Sequence, residues 1–324
     1  MHKLWEPYPL LKNDLKLVEE LINKSIRVKN KKVEATIKRV TQAGGKKLRP
    51  AFALLCANIG PKQDDQNKIA IGAALETLHM ATLVHDDVID EAEERHGVVA
   101  MHATNDNKYA IYAGDYLFCV CFTILSQHSA TLGQLEFNAK SMERILTGEL
   151  DQLEARFTPP LSVKSYLSRV SGKTAQLFAV SCYSGALVSE ATRRQQMIAW
   201  NFGHYIGMAF QIMDDILDYT GKEQIVGKPV LADVRQGIYT LPLIYARREN
   251  PEVFDNILTK KEALTENDIQ YLTELIEKYN GVEKARELAK RYTKKATDHL
   301  NKLPQGEYRE ILNDITTKLL KRTL

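Results

Sequence analysis

The stretch IAIGAALETLHMATLVHDDVID (69–90) is apolar on nearly every side when wound as a helix, and this limits what the chain can fold into. A helix lying on a surface needs only one apolar stripe. Here apolar positions surround the axis, so other elements must cover it from several directions. Glu76, His79 and the terminal aspartates interrupt the run, which suits a core helix better than a membrane span. Helical spacing recurs over 12–28, 50–60, 109–128, 132–156, 162–171, 173–188, 190–220, 238–247, 266–279, 282–302 and 305–322, whereas alternating β patterns are scarce. Helix breakers are few: 17 glycines and 10 prolines in 324 residues. The expectation is all-α: a single large helical bundle of roughly ten or more helices forming one domain over 1–324, with a ligand site in a central cavity between helices.

Charge narrows the partners. Lys and Arg number 44 against 41 Asp and Glu, a net +3 that is too balanced for a dedicated nucleic-acid binder. Basic residues crowd the C-terminal third (Lys290, Arg291, Lys294, Lys295), but acids are interspersed as on a solvated helix face. Cys56, Cys119, Cys121 and Cys182 each stand among apolar neighbours without paired CxxC spacing, so buried free thiols are expected rather than a zinc site. The first residues lack the apolar core and small-residue cleavage site of a signal peptide, and no uncharged run of 18 or more residues is expected to span a bilayer. These features read as a cytoplasmic protein.

Two carboxylate triplets carry the chemistry. Asp86, Asp87 and Asp90 form a DDxxD, and Asp214, Asp215 and Asp218 form another. On a helix such positions fall within an arc of roughly 100°, so each triplet projects from one face. Two carboxylates about 4–5 Å apart repel by roughly 3–4 kcal/mol at an effective dielectric near 20. Apolar flanks (LHMATLVHDDVID, IGMAFQIMDDILD) add desolvation to that cost. Hard divalent cations offset both, and clustered oxygen ligands without Cys or His point to Mg²⁺, which commonly also ligates a substrate phosphate. One DDxxD could be a solvated helix end; two, each with apolar flanks, are not explained that way.

Positive groups accompany them. GGKKLRP (44–50) offers Lys46 and Arg49 beside glycines that let backbone N–H groups approach an anion. His79 lies close to two turns before Asp86, on the same face. Arg95 and His96 follow the first triplet, Lys173 and Thr174 open a helical stretch suited to an anion, and Lys228 follows the second triplet. Together they describe two polyanion sites, one bridged by metals and one not.

GGKKLRP, HMATLVHDDVID, GKTAQLF and FQIMDDILD, in this order and spacing, resemble the trans-isoprenyl diphosphate synthases, or polyprenyl synthetases, over nearly the whole chain. WNFGHYIGMAFQIMDDILDYTG and the VGKP to TLPLIYA region are particularly similar to the catalytic chains of bacterial heptaprenyl-forming members. The resemblance implies a prenyltransferase that extends an allylic diphosphate with isopentenyl diphosphate. Asp86, Asp90 and Asp214 would hold a cluster of Mg²⁺ ions on the allylic diphosphate, completed or supported by Asp87, Asp215 and Asp218. Arg95, Lys173 and Lys228 would contact the same group, with Thr174 and Gln211 helping to position it. Lys46, Arg49 and His79 would bind isopentenyl diphosphate. A homodimer, a small non-catalytic partner subunit and at most transient membrane contact through the product are also implied.

This chain departs from the family pattern in places. His96 replaces a second arginine, Ile238 stands where many relatives have a lysine, and Lys47 replaces the arginine of GGKR. Family logic places the product-length gate at Ala81 and Thr82, with a deeper floor near Leu117 and Val120; two small gate residues favour a product longer than farnesyl. A class I terpene cyclase would commonly lack both the second DDxxD and GGKxxRP. A regulatory subunit would show lost aspartates, and a helical scaffold leaves the apolar flanks unexplained.

Overall fold

The computed structural model describes residues 2–42, 45–95, 97–128, 132–158, 162–220 and 231–320, and among them it is overwhelmingly helical. The first helices are α1 (Pro9–Ser25), α2 (Lys31–Gln42), α3 (Leu48–Cys56), α4 (Asp65–Ile89), α5 (Met101–Thr104), α6 (Asn107–His128) and α7 (Leu132–Glu154). Next come α8 (Val163–Val170), a π-helical turn (Ser171–Ala175), α9 (Gln176–Val188), α10 (Arg193–Thr220) and α11 (Ala232–Arg235). The chain ends with α12 (Leu241–Glu249), α13 (Pro251–Leu258), α14 (Glu266–Lys278), α15 (Gly281–Leu300) and α16 (Glu307–Leu320). The only strands among the described residues are β1 (Glu94–Arg95) and β2 (Val98–Val99), an antiparallel hairpin pairing Glu94 with Val99. The all-α expectation holds. Four α-helices of the described chain, α2, α5, α11 and α13, lie outside the expected stretches, and 173–188 divides into the π-turn and α9.

The fold comprises two compact units. One takes residues 1–139, 180–200 and 303–312; the other takes 140–179, 201–302 and 313–324. In the first unit α4 packs against α1, α3 and α6, and every residue from Ile69 to Leu78 is buried. Its polarity explains why: an all-round apolar surface leaves no face for water. Close approach depends on small residues. A Cβ on Gly72 would meet Val18 Cγ2 at 3.0 Å, and one on Gly114 of α6 would lie 2.6 Å from the His85 ring.

By length and composition α6 is apolar enough to cross a bilayer despite Asp115 at its middle. Its Ala110, Ala113, Leu117, Val120, Cys121 and Ile124 are nonetheless buried in this unit. The opposite face exposes Ile111, Tyr112 and Phe122. Cys119 lies exposed there too, which corrects the expectation of four buried thiols; Cys56, Cys121 and Cys182 are buried. The sequence neighbours of Cys119 are apolar, but the helical turn places it on the outer face.

The second unit has an apolar cluster that holds α10 in place. Met208, Ile212 and Ile216 of α10 pack with Tyr166 and Val170 of α8, Leu241 and Ile244 of α12, and Ala285 and Ala289 of α15. Burying that stripe leaves Asp214, on another face of α10, exposed.

Candidate active site

Both triplets occupy the last turns of their helices. Asp86 and Asp87 lie in the final turn of α4, and Asp90 is its C-cap, its N–H bonded to Asp86 O at 2.8 Å. Asp214, Asp215 and Asp218 lie near the end of α10. Neither helix has a basic residue in its last turn. The C-terminal end of a helix carries partial negative charge, so carboxylates there are doubly disfavoured unless a cation compensates.

Within each triplet the roles divide by exposure. Asp86 is half-buried, Asp90 is exposed and Asp87 is buried. In the second triplet Asp214 is exposed, whereas Asp215 is only 4% exposed and has both oxygens engaged: Oδ2 accepts the Tyr166 hydroxyl and Oδ1 accepts Gln211 Nε2 at 2.7 Å. Burial pushes the Asp215 carboxyl up to about 7; the Tyr166 and Gln211 hydrogen bonds work against this, and Asp233 and Asp214 add to it. Asp218 accepts the backbone N–H groups of Ala232 (3.0 Å) and Asp233 (3.3 Å), thereby capping α11. The donors are all hard carboxylate oxygens, as Mg²⁺ requires. No group of three His, Cys, Asp or Glu side chains closes around one point among the described residues.

Lys173 and Thr174 sit on the π-turn, where Gln176 N–H reaches back to Ser171 O. Such turns inside α-helical runs often mark functional sites. Lys173 Nζ is 2.7 Å from Glu149 Oε2 of α7, and Thr174 Oγ1 donates to Gln211 Oε1 at 2.7 Å. The turn is held close to α7, since a Cβ on Gly148 would lie 2.7 Å from Lys173 N.

The first unit brings Arg49 and His79 together, with Arg49 Nη1 2.9 Å from His79 Nε2. Leading into α3, Lys47 adopts left-handed backbone (φ 50°), and Lys46 O accepts the buried Trp5 indole N–H at 2.8 Å. Lys47 itself turns inward to Glu19. Behind Arg49 lies buried Glu76, whose carboxyl is pushed up by burial and drawn down by Lys47 and Arg49. Burial in turn brings the Arg49 guanidinium down to about 10, opposed by Glu76.

Arg95 is placed only by its backbone in β1, while Lys228, His96 and Gly44 lie outside the described residues. Ile238 is half-buried, its N–H bonded to Asp233 O at 2.8 Å. Sequence reasoning passed over Glu149, Glu19 and Tyr166. Tyr166 had a signal, since it stands close to two turns before Lys173, the same relation that singled out His79. Glu149, in an acidic stretch of α7, had none.

Each triplet thus gathers hard oxygen donors near a helix end, and in the second unit the π-turn carrying Lys173 lies beside its triplet. The polyprenyl synthetase family profile matches residues 30–276. Heptaprenyl diphosphate synthase component 2 of Geobacillus stearothermophilus is 36% identical over 323 residues, covering 99% of each chain. Among solved structures, the geranylgeranyl pyrophosphate synthase of Lactobacillus brevis matches with a TM-score of 0.93 and 36% identity, covering 99% of each chain. The heptaprenyl diphosphate synthase of Staphylococcus aureus matches with a TM-score of 0.92 and 31% identity, over 97% of this chain and 99% of that one. The chain belongs to the polyprenyl synthetase family and is a prenyltransferase.

Proposed function

We propose that this prenyltransferase joins isopentenyl diphosphate to an allylic diphosphate in a magnesium-dependent reaction and builds an all-trans product longer than four isoprene units, of heptaprenyl type. The observation that carries the reading is the split within each triplet. Asp86, Asp90 and Asp214 are accessible for cations, while Asp87 is buried and Asp215 is tied inward. Magnesium, when bound, neutralises the charge that develops on the leaving diphosphate. Lys173, Arg95 and Lys228 bind that diphosphate, and Arg49, His79 and Lys46 hold the isopentenyl diphosphate. The allylic C–O bond breaks, the isopentenyl double bond attacks the freed carbon, and the released diphosphate takes the proton lost from the adduct. Holding the partners close and away from water supplies much of the rate.

Product length is read from α4 and α6. Neither Ala81 nor Thr82 is bulky; Ala81 is fully buried, and the Thr82 hydroxyl donates back to His79 O at 2.8 Å. Leu117 and Val120 are buried on α6, which packs along α4. The likeness to a geranylgeranyl synthase at 36% identity favours a second reading, a product of four isoprene units. The exposed Ile111, Tyr112 and Phe122 of α6 support a homodimer, and the component 2 relatives support a small partner chain. A cytoplasmic enzyme touching membranes only through its product fits this reading.

The test is elongation by the purified protein alone, with isopentenyl and farnesyl diphosphates, reading product length. A magnesium-dependent ladder beyond four units, lost in EDTA and in Asp86→Ala, is expected. A product ending at four units would select the second reading. No elongation without an added small subunit would limit this chain to a partner-dependent catalytic component.

A further inference from the structure

Behind the second triplet runs a line of hydrogen bonds through four side chains. Tyr166 Oη donates to Asp215 Oδ2, Gln211 Nε2 donates to Asp215 Oδ1, and Thr174 Oγ1 donates to Gln211 Oε1. Tyr166, Thr174 and Asp215 are each no more than 6% exposed. At pH 8 Asp215 is ionised and its carboxylate can only accept, so Gln211 turns its amide NH₂ toward Asp215 and its oxygen toward Thr174. The Thr174 hydroxyl must then donate inward. In that state every proton in the line is committed, and the line ends on the π-turn that carries Lys173.

Tyr166 anchors its other end. It lies on α8 in the cluster with Met208, Ile212 and Ile216, so its ring is fixed by packing on the same helix that bears Asp215. The π-turn follows α8 directly, and its backbone cannot relax toward α7, because Gly148 and Gly172 are already in close contact. On the α10 side, Ala175 of the turn packs close to Gly207, and Thr174 supplies the side-chain hydrogen bond. A π-turn trades ordinary helical bonds for poorer ones, so side-chain bonds of this kind decide which conformation it keeps.

We propose that Tyr166 is a positioning residue whose hydroxyl pins Asp215 and, through Gln211 and Thr174, locks the π-turn that presents Lys173 to the allylic diphosphate, an inference that rests on the reading above. Thr174 and Gln211 act in it as members of a brace.

Tyr166→Phe removes one oxygen and keeps the packing ring. At pH 8, with saturating magnesium, kcat/KM for the allylic diphosphate should fall about tenfold, while KM for isopentenyl diphosphate stays within about twofold. Thr174→Val should give a similar loss. The double variant should be little worse than either single one, because both cut the same line. Unchanged kinetics in Tyr166→Phe, or losses that multiply, would overturn the brace. Hydrogen exchange on the substrate-free protein decides the matter separately from elongation. The amides of Ser171–Phe178 should exchange about tenfold faster in Tyr166→Phe, with α4 unaffected. Unaltered exchange there, or equal loosening of α4, would overturn the proposal even if the wild-type protein made no product. Failure of the wild-type to elongate, with the local exchange effect present, would instead count against the proposed function alone.

Discussion

Lys173 Nζ lies 2.7 Å from Glu149 Oε2, so the cation expected to receive a diphosphate already has an anionic partner. The side chains are 30% and 19% exposed, and such a partly solvated pair is worth about 1 kcal/mol or less. Glu149 would thus keep the ammonium ordered at small cost and yield it to a more highly charged ligand.

Substitution of the two partners should have opposite consequences for binding. Lys173→Ala is expected to lower kcat/KM for the allylic diphosphate by about a hundredfold, as loss of one preorganised charge donor does. Glu149→Gln removes the competitor, so KM for that substrate should fall by a factor of about 2–5. Steady-state kinetics with each substrate varied in turn would check both. A rise in KM for Glu149→Gln would show that orientation outweighs competition.

Asp215 makes stability depend on pH in the magnesium-free protein. Its folded-state pKa is about 7, above the ordinary value of 3.8. Between these values the folded chain holds a proton that the unfolded chain has lost, so stability falls as pH rises from about 4 to about 7. Urea unfolding in EDTA across this range should show that slope. Asp215→Asn, which cannot ionise, should flatten it; an equally steep variant would mean that another group is responsible.

Thr82 offers a direct handle on product length. It is half-buried, whereas Ala81 has no exposed surface, so a larger side chain is tolerated better at 82. Thr82→Phe should shorten the product by two or more isoprene units with catalysis retained, as mass spectrometry of the dephosphorylated alcohols would reveal. Unchanged length would remove this position from the tunnel.

Gly148→Ala should strike the site through the backbone. The added methyl would lie 2.7 Å from Lys173 N and 3.0 Å from Gly172 C, contacts that no side-chain rotation relieves. A loss of about 1–3 kcal/mol in unfolding free energy is expected. Activity at a temperature well below melting should fall with it, because the strain falls on the turn carrying Lys173.

Much of this organisation was legible in the amino-acid order. The all-round apolar run at 69–78 foretold a buried α4, and each DDxxD lies near its helix end. What escaped notice had physical causes. In α2 the sequence KKVEATIKRVTQ buries only Ile37 and Thr41, so its apolar stripe is too thin to stand out among the cations. The eight-residue α13 begins at Pro251, a residue that reads as a breaker inside a pattern yet suits a helix start. The π-turn was invisible because a close crossing at Gly148 and Gly172 accompanies it, a relation between distant residues rather than a local preference. Within the second triplet the resemblance already set Asp214 apart from Asp215, but the spacing alone gave no physical reason; that lies in which face of α10 the apolar cluster covers.

Because α4 and α10 both end in acid, with no lysine or arginine in the final turn, a cation bound at these helix ends would favour the folded chain. Anything that binds the folded chain and not the unfolded one raises its stability by mass action, about 2.7 kcal/mol at a hundredfold excess over Kd. Substrate supply would then govern more than flux. A well-fed enzyme would be a long-lived one, while chain starved of magnesium and diphosphate would be offered sooner to proteases.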